Sequence, residues 1–218
     1  MLARMFCCAL VIGASFASAQ TIRIDCGSNE AYAASDGATW QADQYATGGQ
    51  QLYTGYQVAN TPDPSLYRWG RQGYYGDFSY SIPVANGNYQ LTLKFAEIQF
   101  ASAGSRIFNV TVNGAIALSN FDIVAQAGAW KAIDKQFPVT VTNGAVQINV
   151  HGVKGVGLLN AIQIDAAAAE PSPVLQVSGN NLSFSGIAGG GNPAAQTITI
   201  ANTGGGTLNW TAGKTQSW

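Results

Sequence analysis

The chain of 218 residues has little charge and a single histidine, and each shortage excludes a class of function. It holds only 10 lysines and arginines and 11 aspartates and glutamates, and the basic residues form no cluster. Because nucleic-acid binding depends on clustered positive charge, we expect no nucleic-acid partner. The lone histidine, His151, has no Gly-x-Ser-x-Gly turn to serve, so a Ser-His-Asp hydrolase is not predicted.

Cysteine is also scarce. Cys7 and Cys8 lie in the N-terminal segment, and Cys26 is the one that remains beyond it. We therefore expect no intramolecular disulfide, and Cys26 is predicted to be a small, buried, unpaired thiol. There is no histidine pair, Cys-x-x-Cys motif or EF-hand loop, so neither a zinc site nor a cofactor is predicted. The oxygen-rich stretch Asp25–Glu30 could hold a structural calcium, or its side chains could satisfy backbone groups in a turn.

The N-terminus has the pattern of a secretory signal. Arg4 precedes an apolar run from Met5 to Phe16, and the small residues Ala17-Ser18-Ala19 follow it directly before Gln20. The apolar run is shorter than the ~20 residues that a membrane-spanning helix needs. We therefore predict that residues 1–19 are a signal peptide and that the protein is secreted or at the cell surface, without a membrane span.

Alternating apolar residues predict an all-β protein. Short runs place an apolar residue at every second position, as in a half-buried strand. These residues are Tyr89, Leu91, Leu93, Phe95, Phe108, Val110, Val112, Val139, Val141, Val146, Ile148 and Val150. Asn-Gly pairs at 86–87, 113–114 and 143–144 separate such runs, and each predicts a tight hairpin turn. The fold expected is an antiparallel, jelly-roll-like β-sandwich.

A change of composition divides the chain. Residues 20–165 are predicted to form the first domain, and residues 166–173, rich in alanine and proline, a linker. Residues 174–218 contain strand-like runs between glycine-rich loops, and we expect two or three strands there. Because ~45 residues are too few for an independent sandwich of ~100 residues, this part is predicted to be a partial immunoglobulin-like β-domain.

Aromatic residues crowd the segment from Gln44 to Gly76. The segment is rich in glycine, proline, glutamine and asparagine, so we interpret it as largely loop, where a core does not need so many tyrosines. Tyrosine and tryptophan offer a flat apolar face to a sugar ring and a polar edge to its hydroxyls. At least two of these rings are predicted to line a ligand pocket, while others cap the core. The residues are Tyr45, Tyr53, Tyr56, Tyr67, Trp69, Tyr74 and Tyr75.

Enzymatic hydrolysis of sugars is the hypothesis to weigh against binding. A glycosidase holds two carboxyl groups roughly 5–10 Å apart across the scissile bond. The candidates in the first domain are Asp25, Asp43, Glu97, Asp122 and Asp134. None lies in a local motif that pairs it with another, so no catalytic residue is assigned and the protein is not predicted to be an enzyme.

The first domain resembles the malectin domain over nearly its whole length. The matching stretches occur in the order of the family, which makes their combination specific although each is weak alone. They are Ile24–Ser28, Trp40–Tyr45, Asn60–Pro64, Leu66-Tyr67, Phe78–Pro83, Leu91–Glu97, Arg106–Gly114, Asn120–Val124 and Asn160–Ile162. The resemblance implies a jelly-roll sandwich that binds carbohydrate without hydrolysing it. Animal malectins bind α-linked glucose disaccharides, and bacterial relatives are taken as general carbohydrate-binding modules.

The resemblance also implies site residues, of which only some carry over. The early family tyrosine corresponds to Tyr53 or Tyr56, and the later one to Tyr74 or Tyr75. The family's aromatic pair becomes Gln99-Phe100, and its late aspartate is replaced within the stretch Gly155–Leu158. The ligand-binding residues predicted are Tyr53, Tyr56, Tyr67, Trp69, Tyr74, Tyr75, Gln99 and Phe100. An α-glucan or another polysaccharide is the expected partner.

The C-terminal part resembles the start of a BACON-type immunoglobulin-like domain, through Leu182–Phe184, Pro193–Thr197 and Asn202–Trp210. Such domains recur as spacers or glycan-associated modules in exported bacterial proteins. The function predicted is therefore that of an exported, non-catalytic carbohydrate-binding protein. The alternative is an adhesion or structural spacer module that recognises protein or packs between domains.

Overall fold

A computed structural model describes residues 21–74, 76–167, 171–179 and 182–213. The predicted signal segment 1–19 and the candidate residue Tyr75 lie outside the described residues. The chain divides into two compact units, Met1–Ala167 and Ala168–Trp218. Within the described residues, no helix combines the length and the apolar character needed to cross a bilayer.

The first unit is almost entirely antiparallel β-structure. Between residues 21 and 167 the described chain forms fourteen strands, one short α-helix and one 3-10 helix. The strands are β1 Thr21–Asp25, β2 Tyr32–Ala33, β3 Thr39–Trp40, β4 Ala46–Gly48, β5 Gln50–Tyr53, β6 Trp69–Gln72, β7 Phe78–Pro83, β8 Gly87–Ala96, β9 Ile107–Val112, β10 Ala115–Phe121, β11 Ala132–Val141, β12 Ala145–Lys154, β13 Leu158–Leu159 and β14 Ala161–Ala166. The 3-10 helix spans Pro64–Tyr67, and α1 spans Ile123–Ala127.

Two large sheets form a sandwich, which confirms the predicted fold class. One sheet has four strands in the order β1-β14-β8-β11, and the other has five in the order β10-β9-β12-β7-β4. A smaller sheet has the order β13-β6-β5, and β2 pairs with β3. Strand β14 reaches Ala166, which pairs with Tyr89, so the sheet extends one residue into the segment predicted as a linker.

The core lies between the two large sheets, where the alternating residues meet. Every apolar residue of the predicted strand runs is buried. Phe95 on β8 packs against Phe108 on β9 with ring centroids 6.0 Å apart, and Phe121 packs at 5.0 Å from Phe95. Cys26 is a free thiol with no exposed surface, as predicted. The core forms because period-two alternation puts one face of each strand against the opposite sheet.

Only one of the three Asn-Gly pairs closes a hairpin. Asn113 and Gly114 both have positive φ, 48° and 81°, and join the paired strands β9 and β10. The pairs at 86–87 and 143–144 instead connect strands of different sheets, so the hairpin prediction is wrong there. Those two connections are bonded together, since the Gly144 amide donates to Asn86 Oδ1 at 2.9 Å. A turn sequence specifies a change of direction, but the sheet that the next strand joins depends on distant partners.

The aromatic segment from Gln44 to Gly76 is more ordered than predicted. It contains strands β4, β5 and β6 and the 3-10 helix. These strands have three or four residues each and include polar side chains on both faces. Runs this short leave no clear alternation in the sequence, which is why the loop interpretation is wrong for them.

In the second unit, β15 Leu175–Ser178 pairs antiparallel with β16 Thr199–Asn202. The two strands agree with the lower bound of the two or three expected. Within residues 182–213, the stretches Leu182–Phe184 and Leu208–Trp210 have no assigned strand. The side chains of both strands are exposed or half-buried.

Candidate functional site

Tyr53 and Trp69 form an aromatic pair at the end of the small sheet. The two residues are partners in the β5–β6 ladder, and their ring centroids lie 4.6 Å apart. The Arg68 guanidinium lies 5.2 Å from the centre of the Tyr53 ring and donates to the Tyr53 hydroxyl at 2.5 Å. Tyr53 is nevertheless 50% exposed. The pair therefore presents aromatic surface to solvent next to a cation and a hydroxyl.

A second pair consists of Tyr56 and Trp130. Their rings meet edge to face at 5.3 Å, and Tyr56 is 69% exposed. Trp130 adopts a left-handed φ of 53°, which is unusual for a bulky residue, and its amide donates to the Glu97 carbonyl at 2.9 Å. Sequence reasoning missed Trp130 because it is an isolated tryptophan, outside both the aromatic segment and the family stretches.

A buried ion pair fixes the loop that holds Gln99 and Phe100. Arg106 Nε donates to Glu97 Oε2 at 2.7 Å, and both side chains are at most 2% exposed. Glu97 Oε1 accepts the backbone amides of Gln99 and Phe100, at 2.9 and 3.1 Å. The Arg106 guanidinium also donates to Gln99 Oε1 at 2.9 Å and lies 5.1 Å from the centre of the Phe100 ring. Because the charges satisfy each other inside the protein, they hold the loop in one conformation.

Hydrogen bonds link these residues into one group, which we call the aromatic arc: Tyr53, Tyr56, Trp69, Phe100 and Trp130. Arg68 ties the first pair to the second, since its guanidinium also donates to the carbonyls of Thr54 and Gly55. Glu97 ties the second pair to Phe100 through the Trp130 amide.

A further predicted residue, Tyr74, lies on the loop after β6. Tyr74 is 54% exposed, and Tyr75 is outside the described residues. The base of this loop is fixed near the ion pair, because Arg106 donates to Gln72 Oε1 at 3.4 Å and Gly73 donates to the Gly157 carbonyl at 3.1 Å. Five of the eight predicted residues, Tyr53, Tyr56, Trp69, Gln99 and Phe100, thus belong to the arc or contact Arg106.

Tyr67 lies apart from the arc. It is only 3% exposed, and its hydroxyl donates to Asp134 Oδ1 at 2.6 Å. Lys94 Nζ donates to the Tyr67 hydroxyl at 3.3 Å and to Asp134 Oδ2 at 2.6 Å. Burial, and to a smaller extent the hydrogen bond to Asp134, holds the pKa of Tyr67 well above its usual range, so its hydroxyl stays protonated.

Tyr67 borders a cleft of about 380 Å³, which we call the polar cleft. Its walls mix carboxylates, one lysine, amides and small apolar groups. The lining residues are Ala34, Asp36, Trp40, Asn60, Thr61, Pro62, Asp63, Leu66, Tyr67, Lys94, Ala132, Ile133, Asp134 and Gln163. Sequence reasoning missed the cleft because these residues come from five separate parts of the chain.

The stretch Asp25–Glu30 forms a turn that is bonded to nearby protein groups. The Gly27 amide donates to Asp43 Oδ2 at 2.7 Å, and Ser28 Oγ donates to the Glu30 carbonyl at 2.8 Å. Burial and the nearby Asp43 charge raise the pKa of Asp25 to about 8. The described residues contain no group of three or more His, Cys, Asp or Glu side chains placed to hold a metal ion. The turn interpretation fits this geometry, and a Cβ at Gly27 would lie 2.2 Å from the Gly70 carbonyl oxygen.

The acidic candidates for hydrolysis have separate partners. Asp43 accepts from Arg71 and the Tyr80 hydroxyl, at 2.8 Å each. Asp122 caps α1 by accepting the Ala125 amide at 3.0 Å, and Asp134 is bound to Lys94 in the cleft. Asp43, Asp122 and Asp134 thus each have structural contacts of their own, and these contacts do not bring any two of the three together.

The family profile of the Malectin domain matches residues 20–168, and this range contains both the arc and the cleft. This chain belongs to the malectin-domain family. Malectin-A of Xenopus laevis is 36% identical over 91 residues, which cover 41% of this chain and 33% of that protein. Human malectin is 32% identical over 93 residues, covering 41% and 31%.

The malectin domain also occurs in plant relatives. A probable LRR receptor-like serine/threonine-protein kinase of Arabidopsis thaliana is 34% identical over 118 residues, covering 50% of this chain and 12% of the kinase. The chain thus matches about a third of the length of the two malectins and about an eighth of the kinase.

Solved structures agree on the fold. The ANX1 ectodomain of Arabidopsis thaliana superposes with a TM-score of 0.61 at 18% identity, covering 69% of this chain and 50% of that one. A Bacteroides uniformis beta-glucuronidase also gives 0.61 at 20% identity, but only 18% of that enzyme is covered. At these identities the likeness concerns the β-sandwich alone.

Proposed function

We propose that this malectin domain binds carbohydrate on the aromatic arc without cleaving it. The observation that carries the proposal is the exposure of Tyr53 and Tyr56, at 50% and 69%, on a base fixed by buried charge. Exposed rings bind the apolar face of a sugar, and the side chains of Arg68 and Gln99 can form hydrogen bonds with its hydroxyl groups. Because the base is rigid, little conformational entropy is lost when a sugar is bound.

An α-glucan is the first ligand to test. Isothermal titration of the full chain would use maltose and maltohexaose, followed by the same lengths from the cellulose and xylan series. We expect Tyr56→Ala and Phe100→Ala each to weaken binding by about tenfold, equivalent to ~1.4 kcal/mol. Tyr45→Ala is the matched control, since Tyr45 is a 45% exposed tyrosine outside the arc. Unchanged affinity in both arc variants would place the site elsewhere, and no binding of any glycan would contradict the proposal.

We further propose that the protein is exported and that the second unit is an immunoglobulin-like β-spacer. The signal pattern of residues 1–19 supports export, and the antiparallel pair β15–β16 supports the β-character of the spacer. Mass spectrometry of the chain recovered from a secreting host should give a mature N-terminus at Gln20. Recovery of the uncleaved chain in the cytoplasm would contradict export.

Because the proposal is binding without cleavage, we expect the protein to release no reducing sugar from a glycan that it binds.

A further inference from the structure

The polar cleft lies on the outward face of the four-stranded sheet. Lys94 on β8 pairs with Asp134 on β11, and Gln163 on β14 pairs with Thr92, two residues before Lys94. Because side chains alternate along a strand, Lys94, Asp134 and Gln163 project from the same face, opposite the core. The segment from Asn60 to Tyr67 forms the facing wall.

The cleft is built for hydrogen bonding rather than for stacking. Its two aromatic residues, Trp40 and Tyr67, are only 4% and 3% exposed and offer little ring surface. The Lys94 ammonium has three protons, and the described residues provide two acceptors for it, the Tyr67 hydroxyl and Asp134. Side by side, Lys94 and Asp134 give a donor and an acceptor at one point, which suits a pair of vicinal hydroxyls.

The charge of the lining selects against anions. Asp36, Asp63 and Asp134 face one cation, Lys94. This excess of negative charge repels carboxylated or sulfated ligands. The volume of about 380 Å³ is within the range of small-molecule sites, which begins near ~300 Å³. A small neutral ligand rich in hydroxyl groups fits the hydrogen-bonding groups, the charge and the volume of the cleft.

The cleft and the arc are neighbours. The β-bridge between Ala59 and Lys131 lies between them, with Trp130 of the arc on one side and Asn60 and Ala132 of the cleft on the other. Asp134 is four positions after Trp130, so their Cα atoms are at most about 14 Å apart. This distance can be bridged by a short oligosaccharide.

We infer that the polar cleft is a second saccharide subsite, which binds a neutral sugar unit of an oligosaccharide whose other end rests on the arc. The inference rests on the proposed function, because it assigns the arc to the first sugar units. It adds a length requirement: a disaccharide reaches only the arc, whereas a hexasaccharide engages both surfaces and binds more tightly.

Filling the cleft tests this assignment. Gln163→Trp places a large ring in the cleft at a β-strand position that tolerates aromatics. Gln136→Trp is the matched control, since Gln136 and Gln163 both pair with Thr92 and share its face, but Gln136 does not line the cleft. In calorimetric titrations, we expect Gln163→Trp to lower the affinity for maltohexaose about tenfold and to leave the affinity for maltose unchanged. Gln136→Trp should change neither affinity.

The outcomes separate this inference from the proposed function. If the native protein binds both lengths equally, or if Gln163→Trp leaves the hexasaccharide affinity unchanged, the subsite is refuted and the arc remains. Tighter binding of oligogalacturonate than of neutral hexasaccharides would also refute it. Binding of no glycan at all overturns the proposed function itself. Should Gln163→Trp fail to fold, judged by circular dichroism, Ala34→Arg blocks the cleft from another of its lining residues, with the same expected result.

Discussion

The aromatic arc exposes its rings above a buried ion pair, whereas the polar cleft buries its rings and exposes its charges. The Glu97 and Arg106 side chains that support the arc are at most 2% exposed, while Tyr56 in the arc is 69% exposed. In the cleft, Tyr67 is 3% exposed, while the Asp134 side chain is 38% exposed. At the arc, the residues proposed to contact a ligand differ from the residues that support the fold, whereas in the cleft the same residues do both. Substitution of an arc ring should therefore change affinity and not stability, whereas substitution of a cleft residue should change both.

The largest effect is expected beneath the arc. Arg106→Met leaves the Glu97 carboxylate buried without its partner, which should cost about 3–5 kcal/mol of unfolding free energy. Chemical denaturation measures the loss. Arg68→Met is the control, because Arg68 also lies over an aromatic ring but is half-exposed, and it should cost less than about 1 kcal/mol. Equal effects of the two variants would show that burial of the ion pair is not what supports the arc.

The next effect is a pH dependence at Asp25, the buried acid of the turn beside Trp69's strand. Its pKa rises from 3.8 to about 8 on folding, so the folded state favours the neutral form. The stability contribution is complete below pH 3.8 and is lost as the pH rises towards about 8. Asp25→Asn removes this titration, so its stability relative to the native protein should increase between these pH values. Parallel stability curves for the two proteins would contradict the assignment.

A smaller effect is expected from the charges of the cleft. Lys94→Met removes an ion pair whose side chains are 15% and 38% exposed, and it should cost about 1 kcal/mol or less. Tyr67 continues to donate to Asp134, so the carboxylate keeps one partner. The loss should shrink in high salt, which screens the pair in the native protein. A loss as large as that of Arg106→Met would remove the distinction between the two surfaces.

The smallest effect on stability is expected at the exposed rings. Tyr56→Ala should change the unfolding free energy by no more than about 0.5 kcal/mol, because the ring is mostly in solvent. The same variant is expected to lose glycan affinity. Thermal denaturation and titration on one preparation measure both quantities. A marked drop in melting temperature would mean that Tyr56 supports the fold instead of meeting a ligand.

Much of the sandwich could be predicted because burial imposes a local signal. The run from Tyr89 to Phe95 alternates, and its apolar residues are buried as expected. Sheet membership is different: the Asn-Gly pairs at 86–87 and 143–144 look the same as the hairpin at 113–114 but connect different sheets. Pairing partners far along the chain decide that outcome, and a local turn motif contains no information about them.

The candidate site shows the same limit. Exposed tyrosines in a polar segment pointed to the arc, and the family resemblance added Gln99 and Phe100. The pairing of Glu97 with Arg106, nine residues away, and the position of Trp130 depend on the folded loops and left no pattern in the sequence. The polar cleft could not be predicted for the same reason, since its lining residues are spread along the sequence from Ala34 to Gln163.

The pairing of β1 with β14 brings the first and last strands of the described sandwich side by side. Thr21 pairs with Asp165, and the Thr21 hydroxyl donates to the Asp165 carboxylate at 2.9 Å across 144 residues of chain. Closing so long a loop is slow, so this strand pair is expected to limit the rate of folding. Adjacent ends also allow a domain to be inserted into a longer polypeptide without stretching either neighbour. The position of the first and last strands therefore suits this sandwich to insertion between other domains of a multidomain protein.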